Sequence, residues 1–195
     1  YKRQVGNPHR INDRGAQVIK SLKEIGFEHY YQAEQTGWVL YLEGSTDLAI
    51  LRAFAHLLGN KKAEKVLERP FVHYVANQIG EIKKHFHGLR EAYSGLTGIA
   101  IFNRLDLEPI VDMGIPVLQW RRREIENYLC NKETLKNYAE ASAIKGVAGP
   151  LFSHSESKRR IKTMEDSITE VEKSTETLDK GSPWDINTKV SDDFL

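Results

Sequence analysis

Polar residues suited to metal chemistry follow three short apolar runs in this chain. Glu43 and Asp47 come after Trp38-Val39-Leu40-Tyr41-Leu42, and Asn103 and Asp106 come after Gly98-Ile99-Ala100-Ile101-Phe102. The basic run Arg121-Arg122-Arg123, then Glu124 and Glu126, comes after Pro116-Val117-Leu118-Gln119-Trp120. In a parallel α/β sheet, ligands bind beyond the carboxyl ends of the strands, so these groups would share one sheet edge. Gly44 permits a tight turn with close backbone approach. Asp47 falls in the first turn of the next helix, so both carboxylates would face one crevice beside a positive helix end. Hard oxygen donors with room for water select Mg²⁺ or Mn²⁺ over zinc. The plainer alternative is a solvated Glu43 and an Asp47 that only answers the helix dipole, and spacing alone supports both.

The elements that would position these residues are legible as periodicity. Asp13 to Ile25 reads as a helix through Val18, Leu22 and Ile25, with Gly26 as its left-handed C-terminal residue and Phe27 folding back; residues 28–36 read as a connector. The run 38–42 suits a strand covered on both faces. A helix follows from Thr46 to Leu58, with Leu51, Phe54, Ala55 and Leu58 on its buried face, then a short linking helix at Lys62–Glu68. Phe71–Val75 is a second strand, with Pro70 at its start, where a missing N–H does least harm. Ile79, Ile82, Phe86, Leu89 and Tyr93 recur at alternating spacings of three and four, an amphipathic stripe. Strands separated by such crossovers imply βαβ units and a parallel sheet of about four strands flanked by helices. Helices are expected at Glu124–Cys130 and Lys132–Ala141, and a loop at Lys145–Ser155. Ile161, Met164, Ile168, Val171, Thr175 and Leu178 form a heptad-like seam too short to favour a coiled coil over a helix packed on its own domain.

Composition narrows the function classes. The 195 residues carry 28 Lys+Arg against 27 Asp+Glu, a net charge of +1, so any anion site must be local. Cys130 is the only cysteine, which excludes an intrachain disulfide and a cysteine-built zinc site and fits a reducing, cytoplasmic setting. No apolar run approaches the roughly 18 residues of a membrane span. The chain starts at Tyr1 without Met, which reads as a fragment of a longer protein.

Three segments, in order, carry a family resemblance. Leu40-Tyr41-Leu42-Glu43-Gly44-Ser45-Thr46-Asp47 resembles the first Toprim motif, a hydrophobic strand, Glu-Gly, and Asp four residues beyond the Glu. Ile99-Ala100-Ile101-Phe102-Asn103-Arg104-Leu105-Asp106 resembles the second. Arg122-Arg123-Glu124-Ile125-Glu126-Asn127-Tyr128-Leu129 resembles the segment that follows in endonucleases of the OLD (overcoming lysogenization defect) family. The resemblance implies a Toprim-like fold at residues 37–145, preceded at 1–36 by a helix and linker from an absent ATPase half and followed at 146–195 by a helical extension completing the site. It implies two-metal phosphodiester hydrolysis with Mg²⁺ or Mn²⁺ held by Glu43, Asp47, Asp106 and Glu126, and a late lysine, placed at Lys189 with Lys173 and Lys180 as alternatives. Arg121, Arg122 and Arg123 would hold flanking phosphates, although any one of them alone reads more readily as part of a solvated basic run closing a strand. The implied partners are DNA, with RNA as the alternative, the ATPase domain of the full-length chain and further copies of itself, in bacterial anti-phage defence. Asn103 stands where the family carries Asp, which points to an inactivated nuclease, or to a shifted alignment with Asp106 and Glu108 as the pair.

Competing readings are a catalytically inactive Toprim scaffold that binds a partner, a primase- or topoisomerase-type Toprim domain, and a generic Rossmann-like binder. The last lacks Gly-x-Gly-x-x-Gly after the first strand. Plainer roles are expected elsewhere. His85 and His87 read as solvated and His73 as a core histidine. Cys130 reads as a small buried hydrophobe, Trp38, Trp120 and Trp184 as packing anchors, Lys158-Arg159-Arg160 as a solvated face, and Glu124 as a partner of the arginine run.

Overall fold

The structure is a computed structural model and describes residues 19–20, 23–76, 78–104, 113–145 and 150–190. Asp106, Glu108, the segment 13–18 and the terminal 191–195 lie outside the described residues. The described elements run α1 (Phe27–Thr36), β1 (Trp38–Leu42), α2 (Ser45–Leu57), α3 (Lys61–Glu68), β2 (Val72–Tyr74), α4 (Ile79–Ala92), β3 (Thr97–Phe102), β4 (Val117–Gln119), a 3₁₀ turn (Ile125–Tyr128), α5 (Lys132–Lys145) and α6 (Pro150–Thr177). The four strands form an all-parallel sheet in the order β2-β1-β3-β4. Leu40 pairs with Val72 on one side of β1 and with Ile99 on the other. The expected α/β architecture is therefore present.

The chain divides into two compact units. One takes the described residues through Phe102 and 113–118, and the other takes Asn103–Arg104 and the described residues from Gln119 onward. In the first unit β1 is central, and its Val39, Leu40, Tyr41 and Leu42 are all buried. Side chains alternate along a strand, so Val39 and Tyr41 face one way and Leu40 and Leu42 the other. Val39 and Tyr41 join Ala33, Ile82, Phe86, Leu89, Ala100 and Phe102 in one core. α2 also packs on β1, burying Ile50 and Ala55. Arg52 donates from Nε to the Leu67 carbonyl at 2.8 Å and from Nη2 to the Glu68 carbonyl at 3.1 Å, satisfying carbonyls at the end of α3.

In the second unit α5 packs along α6, and Ile168 and Thr175 of the heptad-like seam are buried. The seam is thus a contact within its own domain. Lys136 pairs with Glu165 across the two helices at 2.9 Å.

Several expectations are corrected. Residues 28–36 are not a connector but α1; its sequence has no clean apolar stripe, and its place rests on burying Ala33 and packing Tyr30 against the core. Gly26 has φ 96° and ψ 138°, outside the left-handed helical region, and Phe27 is exposed and opens α1. Leu58, expected on a buried face, is exposed. Within 124–130 only Ile125–Tyr128 is helical, as one 3₁₀ turn. The expected loop at 145–155 is helical from Pro150 onward, because a first-turn proline has no N–H to leave unpaired. Cys130 is only partly buried.

Gly98 lies inside β3 for a steric reason. A Cβ there would meet side chains of Ile115, Phe86 and Val39, each at 3.2 Å. Gly98→Ala is expected to lower the unfolding free energy by about 1–3 kcal/mol through overpacking, read from the urea midpoint at unchanged slope.

Candidate functional site

Glu43 and Asp47 sit at the carboxyl end of β1, where Gly44, extended at φ −146°, turns the chain into α2. Asp47 is buried, and its Oδ2 accepts from the backbone N–H of Glu43 at 3.1 Å and of Gly44 at 3.2 Å. Gly44 is the cap residue of α2 and Glu43 precedes it, so Asp47, in the first turn, reaches back and ties the start of its own helix to the end of β1. These bonds fix the orientation of the group without excluding a ligand role. Neighbouring β2 ends beside the same turn, where the Ala76 N–H donates to the Glu43 carbonyl at 3.3 Å with Ala76 at φ 40°. β1 and β3 are adjacent and parallel, so their carboxyl ends lie at one edge of the sheet.

The second unit gathers Asn103, the arginine run, Glu124, Glu126 and Lys189. Arg104 donates its backbone N–H to the Arg123 carbonyl at 2.9 Å, and Arg123 donates to the Ile186 carbonyl at 2.8 Å. Arg104 Nη1 reaches the Arg121 carbonyl at 3.1 Å, and its Nη2 reaches Asn187 Oδ1. Asn127 ties these segments together from a buried position. Its Oδ1 accepts from the Glu124 N–H at 2.9 Å, and its Nδ2 donates to the Thr188 carbonyl at 3.0 Å and the Asp185 carbonyl at 3.4 Å. One side chain thereby fixes the 3₁₀ turn carrying Glu126 and the tail carrying Lys189. Lys173, by contrast, is an exposed residue of α6, and exposed Lys180 follows that helix.

The basic residues differ in freedom. Arg121 is exposed, whereas Arg122 donates to the Asn127 carbonyl at 3.2 Å and lies 5.5 Å from the Tyr128 ring centroid. Glu124 is 2% exposed, and its place at the start of the 3₁₀ turn gives it a structural part. Arg159 and Arg160 both pair with Glu156 at 2.7 Å on α6, a solvated face as expected. Trp184 is half-buried and donates from Nε1 to Glu172 Oε1 at 2.6 Å, with Lys132 Nζ 5.9 Å from its ring.

One cluster is not foreseen by the sequence. His29 of α1, His73 of β2 and His85 of α4 bring one ring nitrogen each to within 4.8 Å of one another. His85, expected to be solvated, is 7% exposed; His87 is exposed as expected. His85 Nδ1 lies 2.8 Å from Tyr41 Oη, and its Nε2 lies 3.0 Å from His29 Nδ1. His73 stacks on His85 with ring centroids 3.9 Å apart and planes 2° from parallel. The three residues stand 44 and 12 positions apart in the chain, so no local spacing signals them.

Burial, then the neighbouring His73 and His29, holds His85 in its neutral form down to about pH 3, and burial also lowers His73. Burial raises the Tyr41 phenol, which stays protonated. Compared with protein-family profiles, characterised proteins and solved structures, the chain matches none.

Two predictions follow from this geometry. Unfolded His85 takes up a proton near 6.5 but folded His85 only near 3, so the unfolded state binds more protons across that window and stability falls as pH drops through it. The unfolding free energy in EDTA-containing buffer should fall by about 1 kcal/mol per pH unit below that upper value, and the slope should flatten in His85→Phe. Asn127→Ala removes three hydrogen bonds from a buried side chain. It should cost about 1–3 kcal/mol and speed amide exchange selectively at 185–190.

Proposed function

We propose that this chain is a Toprim-type nuclease domain, hydrolysing nucleic-acid phosphodiesters with Mg²⁺ or Mn²⁺, from an ATPase-nuclease of the OLD kind. The observation that carries the reading is the position of Glu43-Gly44-Ser45-Thr46-Asp47. It occupies the carboxyl end of the central strand of an all-parallel sheet, and the neighbouring strand β3 ends one residue before Asn103. Ligands bind at that end of such sheets.

The donor chemistry fits the ion. Carboxylate oxygens are the hard ligands that Mg²⁺ and Mn²⁺ prefer, and the proposal assigns Glu43, Asp47, Asp106 and Glu126 to hold them. When bound, such ions supply electrostatic stabilisation of the attacking and leaving oxygens of an in-line displacement. The two backbone amides on Asp47 Oδ2 orient that carboxylate. Lys189 would offset negative charge building on the transferred phosphate, and Asn127 would position it through the Thr188 carbonyl. Arg121 is the exposed member of its run and would take a flanking phosphate, giving salt-dependent binding. In this proposal DNA is the substrate, with RNA as the variant. The full-length protein acts as an oligomer in cytoplasmic anti-phage defence under control of its ATPase half. Among the described residues no helix is long and apolar enough to cross a membrane.

Asn103 favours a second reading. A neutral carboxamide replaces a full negative charge at a ligand position, which weakens affinity for at least one ion and suits a catalytically inactive Toprim scaffold. Nicking of supercoiled plasmid in Mg²⁺ or Mn²⁺ separates the two. Asn103→Asp is expected to raise nicking by about 10²-fold or more over the parent chain, and Lys189→Ala in that background to remove most of the gain. Equal cutting by parent and Asn103→Asp would shift the ligand pair to Asp106 and Glu108. No cutting by either, in the full-length protein with ATP, would establish the scaffold reading.

A further inference from the structure

We propose that His29, His73 and His85 form a binding site for a borderline transition-metal ion such as Zn²⁺ or Co²⁺, separate in chemistry and ligands from the Mg²⁺ or Mn²⁺ of the nuclease reading. Three imidazole nitrogens within 4.8 Å of one another are a soft-to-borderline donor set. Imidazole suits Zn²⁺, Co²⁺, Ni²⁺ and Cu²⁺, whereas Mg²⁺ and Mn²⁺ prefer oxygen.

Two features beyond proximity support a site. The first is the contact between His85 Nδ1 and Tyr41 Oη at 2.8 Å. With the N–H on Nδ1 donating to the phenol oxygen, His85 presents the Nε2 lone pair toward His29. Metal-bound histidines are held in this way, with the second ring nitrogen donating to a fixed partner that sets tautomer and ring orientation. Tyr41 is fully buried on the central strand, so that partner does not move. The second feature is access: His29 and His73 are half-buried, leaving a route in.

Without metal, the 3.0 Å contact between His29 Nδ1 and His85 Nε2 is a hydrogen bond, and the parallel stack of His73 on His85 is a compact resting arrangement. Binding exchanges the hydrogen bond for two coordinate bonds. His29 need only carry its N–H on Nε2 for Nδ1 to be a ligand, so a neutral cluster releases no net proton. Coordination by His73 would require its ring to turn out of the stack so that a nitrogen lone pair faces the ion. Three protein nitrogens leave the fourth tetrahedral position to water. The ligands come from α1, the edge strand β2 and α4, so the ion would cross-link a helix to the sheet edge it packs beside. The expected role is structural, stabilising the folded unit by mass action.

The test uses the 195-residue chain, stripped with EDTA and titrated with Co²⁺. Expected is a one-to-one complex with the visible d–d bands of a tetrahedral ion, displaced by Zn²⁺, and a thermal midpoint that rises with Zn²⁺ but not with Mg²⁺. His29→Ala and His73→Gln, chosen because both side chains are partly exposed, should each weaken Co²⁺ binding by about 10²-fold while keeping the parent's circular dichroism in EDTA. His56→Ala and His87→Ala should bind as the parent does. Absence of a one-to-one tetrahedral Co²⁺ complex in the parent overturns the proposal regardless of the variants. So does unchanged binding in His29→Ala and His73→Gln, which would place the ion on the surface histidines. Neither result depends on whether the chain cuts nucleic acid.

Discussion

Strand β1 has no solvated face, and much of the first unit follows from that. It is paired on both edges, and four of its five residues are buried on alternating sides. A strand in this position must be covered by helices above and below, which parallel connections supply. Its backbone is consumed by the ladder and its side chains by the core. Polar chemistry is therefore displaced to its end, where Gly44 turns the chain and Asp47 accepts from the amides of Glu43 and Gly44 just before α2. The same burial gives Tyr41 its second part, because a phenol held rigidly in a core needs a polar partner and finds one in His85.

The second unit is organised differently. Its chemistry-bearing residues lie on turns rather than at strand ends, and turns need a peg. Asn127 is that peg: a carboxamide can accept and donate at once, so it closes the 3₁₀ turn at Glu124 while holding the tail at Thr188. An apolar residue of similar volume would fill the space and leave those backbone groups unpaired. Val190, 1% exposed, anchors the same tail by apolar burial. The position of Lys189 thus depends on a residue about 60 positions earlier in the chain.

Strong periodicity and strong local chemistry read through to the structure. The run 39–42, the stripe through Ile82, Phe86 and Leu89, and the seam at Ile168 and Thr175 are buried where their spacing places them. The α1 segment did not read as a helix because its pattern is weak. Its helicity is selected by packing on the sheet, and propensity alone does not reveal it. Leu58 and Phe27 show the converse, apolar residues whose spacing suggests burial but which the neighbouring elements leave in solvent.

The sequence by itself determined the α/β class, the parallel sheet and the carboxylate-bearing turn after β1, since these depend on hydrophobic period and on residues within a few positions of each other. Tertiary structure alone decided which residues from distant segments meet. His29, His73 and His85 come together because β2 pairs with β1 and α1 and α4 pack beside it, and no single segment encodes that meeting. Asn127 reaches the tail 58 to 61 residues away for the same reason. A side chain's type sets what it can bond to, and only the folded chain sets what is within reach.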